Sequence, residues 1–195
     1  MEVAVLCEYS GIVRDAFIKQ GHTAVSFDIL ETESPGPHFR VDVQSFSYKY
    51  WSQFDLIIAH PPCTDLSVSG ARWFEEKRKN GQQQTSIDFF MWIAEIPAER
   101  LCIENPIGIM STLYRKPDQI IQPWMFGHTE TKATCLWLKG LPKLTETNNV
   151  KSEMLKLPQK EQSRIHYASP GADRGKIRSK TYQGLADAMA FQWNL

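Results

Sequence analysis

The 195-residue sequence predicts an α/β protein built on an open, doubly wound sheet with helices on both faces. Three observations lead there. Short apolar, β-branched runs alternate with segments of helical spacing through the first half of the chain. Those apolar runs end in polar or turn-forming residues, at the strand ends where open α/β sheets bind ligands. Apolar residues make up 42 % of the chain, enough for a core in a domain of this length.

Residues 3–7 read as a short apolar strand. The turn Glu8-Tyr9-Ser10-Gly11 comes next, and residues 12–20 carry helical spacing through Ile12, Val13, Ala16 and Phe17, closed by Gly21. Residues 23–27 make a second strand that ends at Asp28. Residues 31–38 hold Pro35, Gly36 and Pro37 and read as a loop. Residues 39–43 read as a third strand with Asp42 near its end. Residues 54–59 form the fourth and stop at His60-Pro61-Pro62-Cys63, because proline cannot continue a central strand and stiffens the backbone beyond it. Residues 67–84 are polar and glycine-bounded, which predicts a partly mobile loop. Residues 85–94 form an amphipathic helix, and 101–103 a fifth strand that runs into Glu104-Asn105-Pro106. In the second half, 132–138 read as a strand. Residues 145–175 are a polar insertion without periodicity, and 181–193 regain helical spacing through Leu185, Ala188, Met189 and Trp193. With no repeat and no low-complexity tract, one domain over residues 1–195 is the simplest organisation.

The formal net charge is zero, so nucleic-acid binding would rest on a local basic patch. Four widely spaced cysteines form no C-x-x-C pair, so no metal site is expected. Cys7, Cys102 and Cys135 read as strand core, a usage that fits a reducing cytosol. No basic segment leads into an apolar one and no apolar run is long enough to cross a bilayer, so a cytoplasmic protein with no membrane partner is expected. The tryptophans read as core, with Trp73 as the exception.

The turn at Glu8-Tyr9-Ser10-Gly11 lies where nucleotide-like cofactors meet helix N-termini, but it is not G-x-G-x-x-G, so it is a weak match to a dinucleotide site. Asp28 and Asp42 end successive strands and suit ribose and adenine, although each alone could simply cap a turn. Cys63 comes after two prolines and therefore sits in a loop, unlike a buried structural cysteine. A nucleophilic thiol needs its pKa lowered by positive charge. The run to Arg72 is too long for a phosphatase cradle. His60, across two rigid prolines, is a poor general base for a cysteine protease. Arg164, His166, Arg174, Lys176, Arg178 and Lys180 form a basic cluster suited to phosphate contacts. Ser69, Arg72, Lys77, Arg78 and Lys79 lie in the loop after Cys63, where a solvated charged face is the alternative reading.

Pro61-Pro62-Cys63 after one strand, then Glu104-Asn105-Pro106 after the next, resembles the DNA cytosine-C5 methyltransferase family, with its Pro-Cys nucleophile and Glu-Asn motif in this order. Glu8 to Gly11 looks like that family's cofactor loop, Asp28 and Asp42 like its ribose and adenine acids. Lys132-Ala133-Thr134 is similar to its arginine-rich strand, and 178–189 to its closing motif. The chain looks like a small, phage-like member without a large target-recognition domain. It departs from the pattern at Pro106, where many members have valine, and at Lys132 and Thr134, where two arginines are expected; Lys132 replaces one only in part.

The resemblance implies a Rossmann-like methyltransferase sheet and S-adenosylmethionine as cofactor. It implies cofactor contacts at Glu8, Tyr9, Ser10, Gly11, Asp28, Ile29, Asp42, Val43, Pro61 and Thr181. Pro62, Ser67, Ser69, Arg72, Asn105, Thr134, Arg174 and Arg178 would meet the base and DNA, and Cys63, Glu104 and Lys132 would carry catalysis. The Cys63 thiolate would add at C6 of a cytosine flipped out of the duplex, Glu104 would hold N3 and the exocyclic amine, and C5 would take the methyl group. The partner is then DNA in a bacterial or phage-infected cell. The oligomeric state stays open, a dimer being one way for a short chain to grip a duplex. Two rivals remain: the same fold acting on a free pyrimidine nucleotide or transferring another group from a related sulfonium, and a non-catalytic DNA-binding protein derived from a methyltransferase.

Overall fold

A computed structural model describes residues 1–167, 171 and 174–194. The strands are β1 (Glu2–Leu6), β2 (Thr23–Asp28), β3 (His38–Arg40), β4 (Leu56–Ala59), β5 (Leu101–Pro106), β6 (Gln119–Ile121) and β7 (Thr134–Lys139). The helices are α1 (Ile12–Lys19), α2 (Tyr48–Trp51), α3 (Phe74–Lys79), α4 (Gln82–Ala94), α5 (Met110–Leu113), α6 (Lys151–Met154), α7 (Gln159–Gln162), α8 (Arg174–Ser179) and α9 (Gln183–Gln192). The strands form one sheet in the order β3-β2-β1-β4-β5-β7-β6. The pairs from β3 through β5 are parallel, while β7 runs antiparallel to both β5 and β6.

Alternation along β1 divides the core between two faces. Val3 and Val5 pack with Val13 and Phe17 of α1 and with Leu185, Met189 and Trp193 at the chain's end. Ala4 and Leu6 pack on the other face with Phe27, Trp51, Phe90 and Ile93. Coverage on both faces is why β4 is apolar at every position instead of alternating. The expected doubly wound α/β architecture is therefore present.

The structure corrects several expectations. Residues 67–84 are helical: a 3-10 turn spans Val68–Trp73, α3 comes directly after it, and α4 already begins at Gln82. This segment is polar because it is anchored by Asp65, which holds Lys77 at 2.7 Å and Ser86 at 2.8 Å, and by the fully buried Leu66. The third strand is shorter than 39–43. Asp42 lies beyond it and caps the 3-10 turn Val43–Ser45, its Oδ1 accepting from Gln44 N–H at 2.9 Å. Cys7 is not strand core; it occupies the turn after β1 with φ 58°, a left-handed conformation uncommon outside glycine. Cys102 and Cys135 are buried in strands. The polar stretch 145–175 contains α6 and α7, with Met154 and Ile165 buried; residues 168–170, 172 and 173 lie outside the described ones. Trp51, Trp137 and Trp193 are core and Trp73 is exposed. Among the described residues no helix is long and apolar enough to cross a membrane.

Candidate active site

The register between β4 and β5 builds the site. Ala59 pairs with Ile103. One step further His60 comes beside Glu104, and its Nδ1–H donates to Glu104 Oε2 at 2.6 Å. The next step brings Asn105 to Pro61, where the Asn105 amide donates to the Pro61 carbonyl at 2.8 Å. His60 and Glu104 are both buried, with side chains 9 % and 7 % exposed. Glu104 and Asn105 are not at a frayed tip; they lie within β5, paired with Leu136 and Cys135 of β7.

Past the two prolines the chain turns tightly. The Cys63 carbonyl accepts from Leu66 N–H at 3.1 Å and from Ser67 N–H at 2.9 Å. Behind this turn Ser67 bridges Gly108, and Ile109 N–H donates to Leu66 O at 3.0 Å. A Cβ on Gly108 would overlap that Leu66 carbonyl, so the close approach requires glycine. Cys63 is half-buried.

Three charges converge on the thiol. Burial pushes the Cys63 thiol above its ordinary value; Lys132 and Arg178 pull it down and Glu104 adds to the rise. For Glu104, burial favours the neutral acid, but the His60 hydrogen bond and the Lys132 charge outweigh it and hold the carboxyl below its usual range. For His60, burial disfavours the imidazolium; the bond to Glu104 and the charges of Glu104 and Glu8 prevail over it, with Lys132 opposing them. Lys132 Nζ donates to Lys180 O at 3.2 Å and lies 5.9 Å from the Tyr182 ring centre. A narrow crevice beside Glu104 is lined by Gln122, Lys132, Thr134, Thr181, Tyr182 and Leu185. Cys63 is not on that lining; it is linked to Glu104 by charge and by the β4–β5 register.

At the far end of β1, Glu8 is buried and caps α1. Its Oε1 accepts from Val13 N–H at 2.6 Å and from Ser10 Oγ at 3.2 Å, and its Oε2 accepts from Arg14 N–H at 3.2 Å. Gly11 stands at φ 75°, and a Cβ there would strike the Arg14 guanidinium. That guanidinium is fully buried and donates to Asp15, Ser26, Thr32 and Ser34 O, fixing the loop between β2 and β3. Asp28 Oδ1 accepts from Leu30 N–H at 2.9 Å, and burial pushes its carboxyl up. Ile29 beside it is exposed, whereas Val43 is buried in the core.

The segment from α8 to Thr181 lies across these parts. Tyr9 Oη donates to Lys176 O at 2.9 Å, Arg178 donates to Ser69 Oγ at 3.3 Å, and Lys180 pairs with Glu33. Ser67 and Thr181 are buried, and Thr134 Oγ1 donates to Lys132 O at 3.1 Å. Pro61 is buried and Pro62 exposed. Arg72 is exposed and stacks on Trp73 at 5.0 Å. Arg174 donates to the His166 carbonyl at 3.5 Å. Arg14 and His60, neither of them among the expected site residues, hold the site together. Arg14 gives no signal in the sequence. His60 becomes visible once the ends of β4 and β5 are set in parallel register.

No protein-family model matches the sequence, and no curated protein matches it. Solved structures do. The Entamoeba histolytica methyltransferase EhMeth superposes with a TM-score of 0.54 at 16 % identity, covering 76 % of this chain and 57 % of that one. The fold is a Rossmann-like methyltransferase fold. The Schizosaccharomyces pombe Dnmt2 methyltransferase is similar with a TM-score of 0.48 at 14 % identity, covering 73 % of this chain and 50 % of that one. The Spodoptera frugiperda DNMT2 mutant E260A/E261A/K263A gives 0.42 at 13 % identity, covering 77 % and 53 %. The chain thus spans about half the length of these solved proteins. Within this fold Glu8, Asp28, Cys63 and Glu104 lie at or just beyond the carboxyl ends of β1, β2, β4 and β5, and Lys132 lies just before β7.

Proposed function

We propose that the protein transfers a methyl group from S-adenosylmethionine to C5 of cytosine in DNA. The observation that carries the reading is the Cys63 turn directly after β4, one strand from a buried Glu104 whose carboxyl is held by His60. The order of the two motifs, Pro-Cys then Glu-Asn, supports cytosine as the target, and the methyltransferase fold supports the transfer.

The residues at the carboxyl ends of β1 and β2 fit the cofactor. Glu8 occupies the N-terminal amides of α1, so the anion site that a dinucleotide's phosphates would use is already filled by a carboxylate. A phosphate-free adenosine suits this turn better. Asp28 would accept from the ribose hydroxyls, and the exposed Ile29 offers an apolar edge to the adenine. S-adenosylmethionine, when bound, supplies an electrophilic methyl on a sulfonium. Cys63 adds to C6, which breaks the ring's aromaticity and makes C5 nucleophilic. Glu104 hydrogen-bonds N3 and the exocyclic amine and neutralises the charge that develops there. Lys132 adds positive charge opposite both groups. Arg72, Ser69, Arg174 and Arg178 border the Cys63 turn or the segment over it and serve the DNA backbone. Extrusion of the base requires a few kcal/mol, roughly, of unstacking.

The test is transfer of isotope-labelled methyl to DNA by wild type and Cys63→Ala, with nucleoside mass spectrometry as the readout. Label in 5-methylcytosine with wild type, and none with the variant, is the expected result. Equal incorporation by both proteins removes Cys63 and overturns the reading.

A further inference from the structure

We infer that His60 is a positioning residue for Glu104: it fixes the carboxyl through Nδ1 and keeps on the buried pair the proton that Glu104 gives to the pyrimidine. This inference rests on the cytosine reading above.

The geometry is asymmetric. His60 Nδ1–H occupies Glu104 Oε2 at 2.6 Å. Oε1 takes no hydrogen bond among the described residues, and Glu104 lines the adjoining crevice, so Oε1 is the atom left for a ligand. On the other side of the ring, His60 Nε2 is buried and has no partner among the described residues. A proton on Nε2 is held by the carboxylates around the ring and not by an acceptor of its own, so it is the proton the pair gives up first. The pair can carry the same two protons as Nδ1–H on a neutral imidazole and Oε1–H on a neutral carboxylic acid. That arrangement leaves no donor orphaned once a base offers N3 to Oε1. The charged groups facing His60 are Glu104 on β5, Glu8 in the turn after β1, Asp28 at the end of β2 and Lys132 before β7. Three carboxyl groups against one ammonium favour keeping the second proton. The pair titrates as a unit, and its protons belong to both residues.

Electrons and protons balance in the step. The Cys63 sulfur forms a bond to C6, the C5=C6 pair moves to C4–C5, and the C4=N3 pair moves to N3. N3 takes the Oε1 proton, leaving Glu104 as a carboxylate that His60 Nδ1–H and Lys132 stabilise. Methyl transfer to C5 would break the donor's S–CH3 bond, whose electron pair stays on sulfur, while C4=N3 re-forms and the N3 proton returns to Oε1; loss of the C5 proton to solvent then expels the Cys63 thiolate from C6 and restores C5=C6.

The experiment compares wild type with His60→Asn, which keeps an N–H donor but cannot titrate, and His60→Leu, which keeps neither. kcat and KM for methyl transfer to DNA are measured across pH 5.5–9. In parallel, ring 15N shifts of His60 are recorded by NMR in the free wild-type protein and in Glu104→Gln. The expected results are a doubly protonated His60 ring at pH 6 in the free wild type that becomes singly protonated in Glu104→Gln, and a kcat loss of at least tenfold in His60→Leu at every pH with KM little changed. His60→Asn should recover most of kcat at low pH but lose it at lower pH than wild type does. Variants within twofold of an active wild type, with the same pH profile, overturn the role of His60 alone. So does a His60 ring that is singly protonated at pH 6 in the free wild type, or one whose protonation is unchanged in Glu104→Gln. A wild type that transfers no methyl overturns the cytosine reading and this inference with it.

Discussion

Replacing Glu8 with alanine removes the cap of α1, and the loss can be worked from its bonds. Glu8 is 4 % exposed. Its carboxylate accepts from two backbone amides, Val13 at 2.6 Å and Arg14 at 3.2 Å. Loss of a capping acceptor costs about 0.5–2 kcal/mol. Leaving a buried donor unpaired adds roughly 1–3 kcal/mol, less where water enters the space vacated. A total of about 2–4 kcal/mol is expected. For a chain of this size that lowers Tm by roughly 4–16 °C. Glu8→Gln keeps one acceptor oxygen but loses the charge that favours a helix N-terminus, and should fall about midway. Urea denaturation measures both, with an unchanged m-value showing that the unfolded state is unaffected. A Tm within 2 °C of wild type for Glu8→Ala would refute the capping role and return Glu8 to the cofactor side of the cleft.

Three further outcomes are expected. Gly108→Ala forces a methyl group against the Leu66 carbonyl, which is backbone and cannot rotate away; stability should fall by about 1–3 kcal/mol, with Cys63 alkylated faster as its turn loosens, and an unchanged urea midpoint would contradict the contact. Because burial raises the Cys63 thiol, the Cys63-specific rate of iodoacetamide modification, taken as the difference from Cys63→Ala, should still be climbing at pH 9 (about half a unit above a free thiol's pKa); Lys132→Met should move the climb to higher pH, and a plateau near neutrality would refute the burial argument. The folded His60–Glu104 pair binds its protons differently from the unfolded chain. With the imidazole raised, its stabilisation is full below the unfolded value of 6.5 and is lost as pH rises through the folded value. With the carboxyl lowered, its stabilisation is present above the unfolded value of 4.5 and is lost as pH falls through the folded value. Urea midpoints should therefore be flattest between these limits, and His60→Asn should abolish the alkaline loss; a wild type whose stability rises with pH above 7 would contradict the pair.

The parts of the fold that are legible in the sequence are those whose pattern is local. β1 and β4 are apolar on both faces because helices cover both, and a run such as Leu56-Ile57-Ile58-Ala59 bounded by Pro61 announces a buried strand by itself. β6 is not legible because three residues at a sheet edge, Gln119–Ile121, are too few to show a period. The stretch after Cys63 reads as mobile because its order comes from Asp65 reaching to Lys77 and Ser86, bonds between polar side chains that hydrophobic spacing does not register. The polar insertion hides small helices for the same reason: Met154 and Ile165 are single apolar anchors, not a stripe.

At the candidate site, the residue types are visible in the sequence while their relations are not. Cys63 and Glu104 stand out because prolines and a strand end mark them. Asp42 and Val43 look alike as neighbours at a strand end, yet one caps a 3-10 turn and the other enters the core. Glu8 reads as a cofactor acid, and the sequence does not show that its carboxylate also holds the start of α1. His60 reads as a poor base when weighed only against Cys63, its neighbour in sequence. Its partner is 44 residues away, and the pairing exists only once Ala59 is set beside Ile103. Tyr9 meets Lys176 across 167 residues in the same way. A parallel sheet makes its side-chain pairs between strands separated by a whole crossover. The chemistry at its carboxyl edge therefore becomes readable only after the register is known, and the two prolines after β4 serve as the ruler: they end the strand at one fixed residue, so the residue beside Glu104 must be His60.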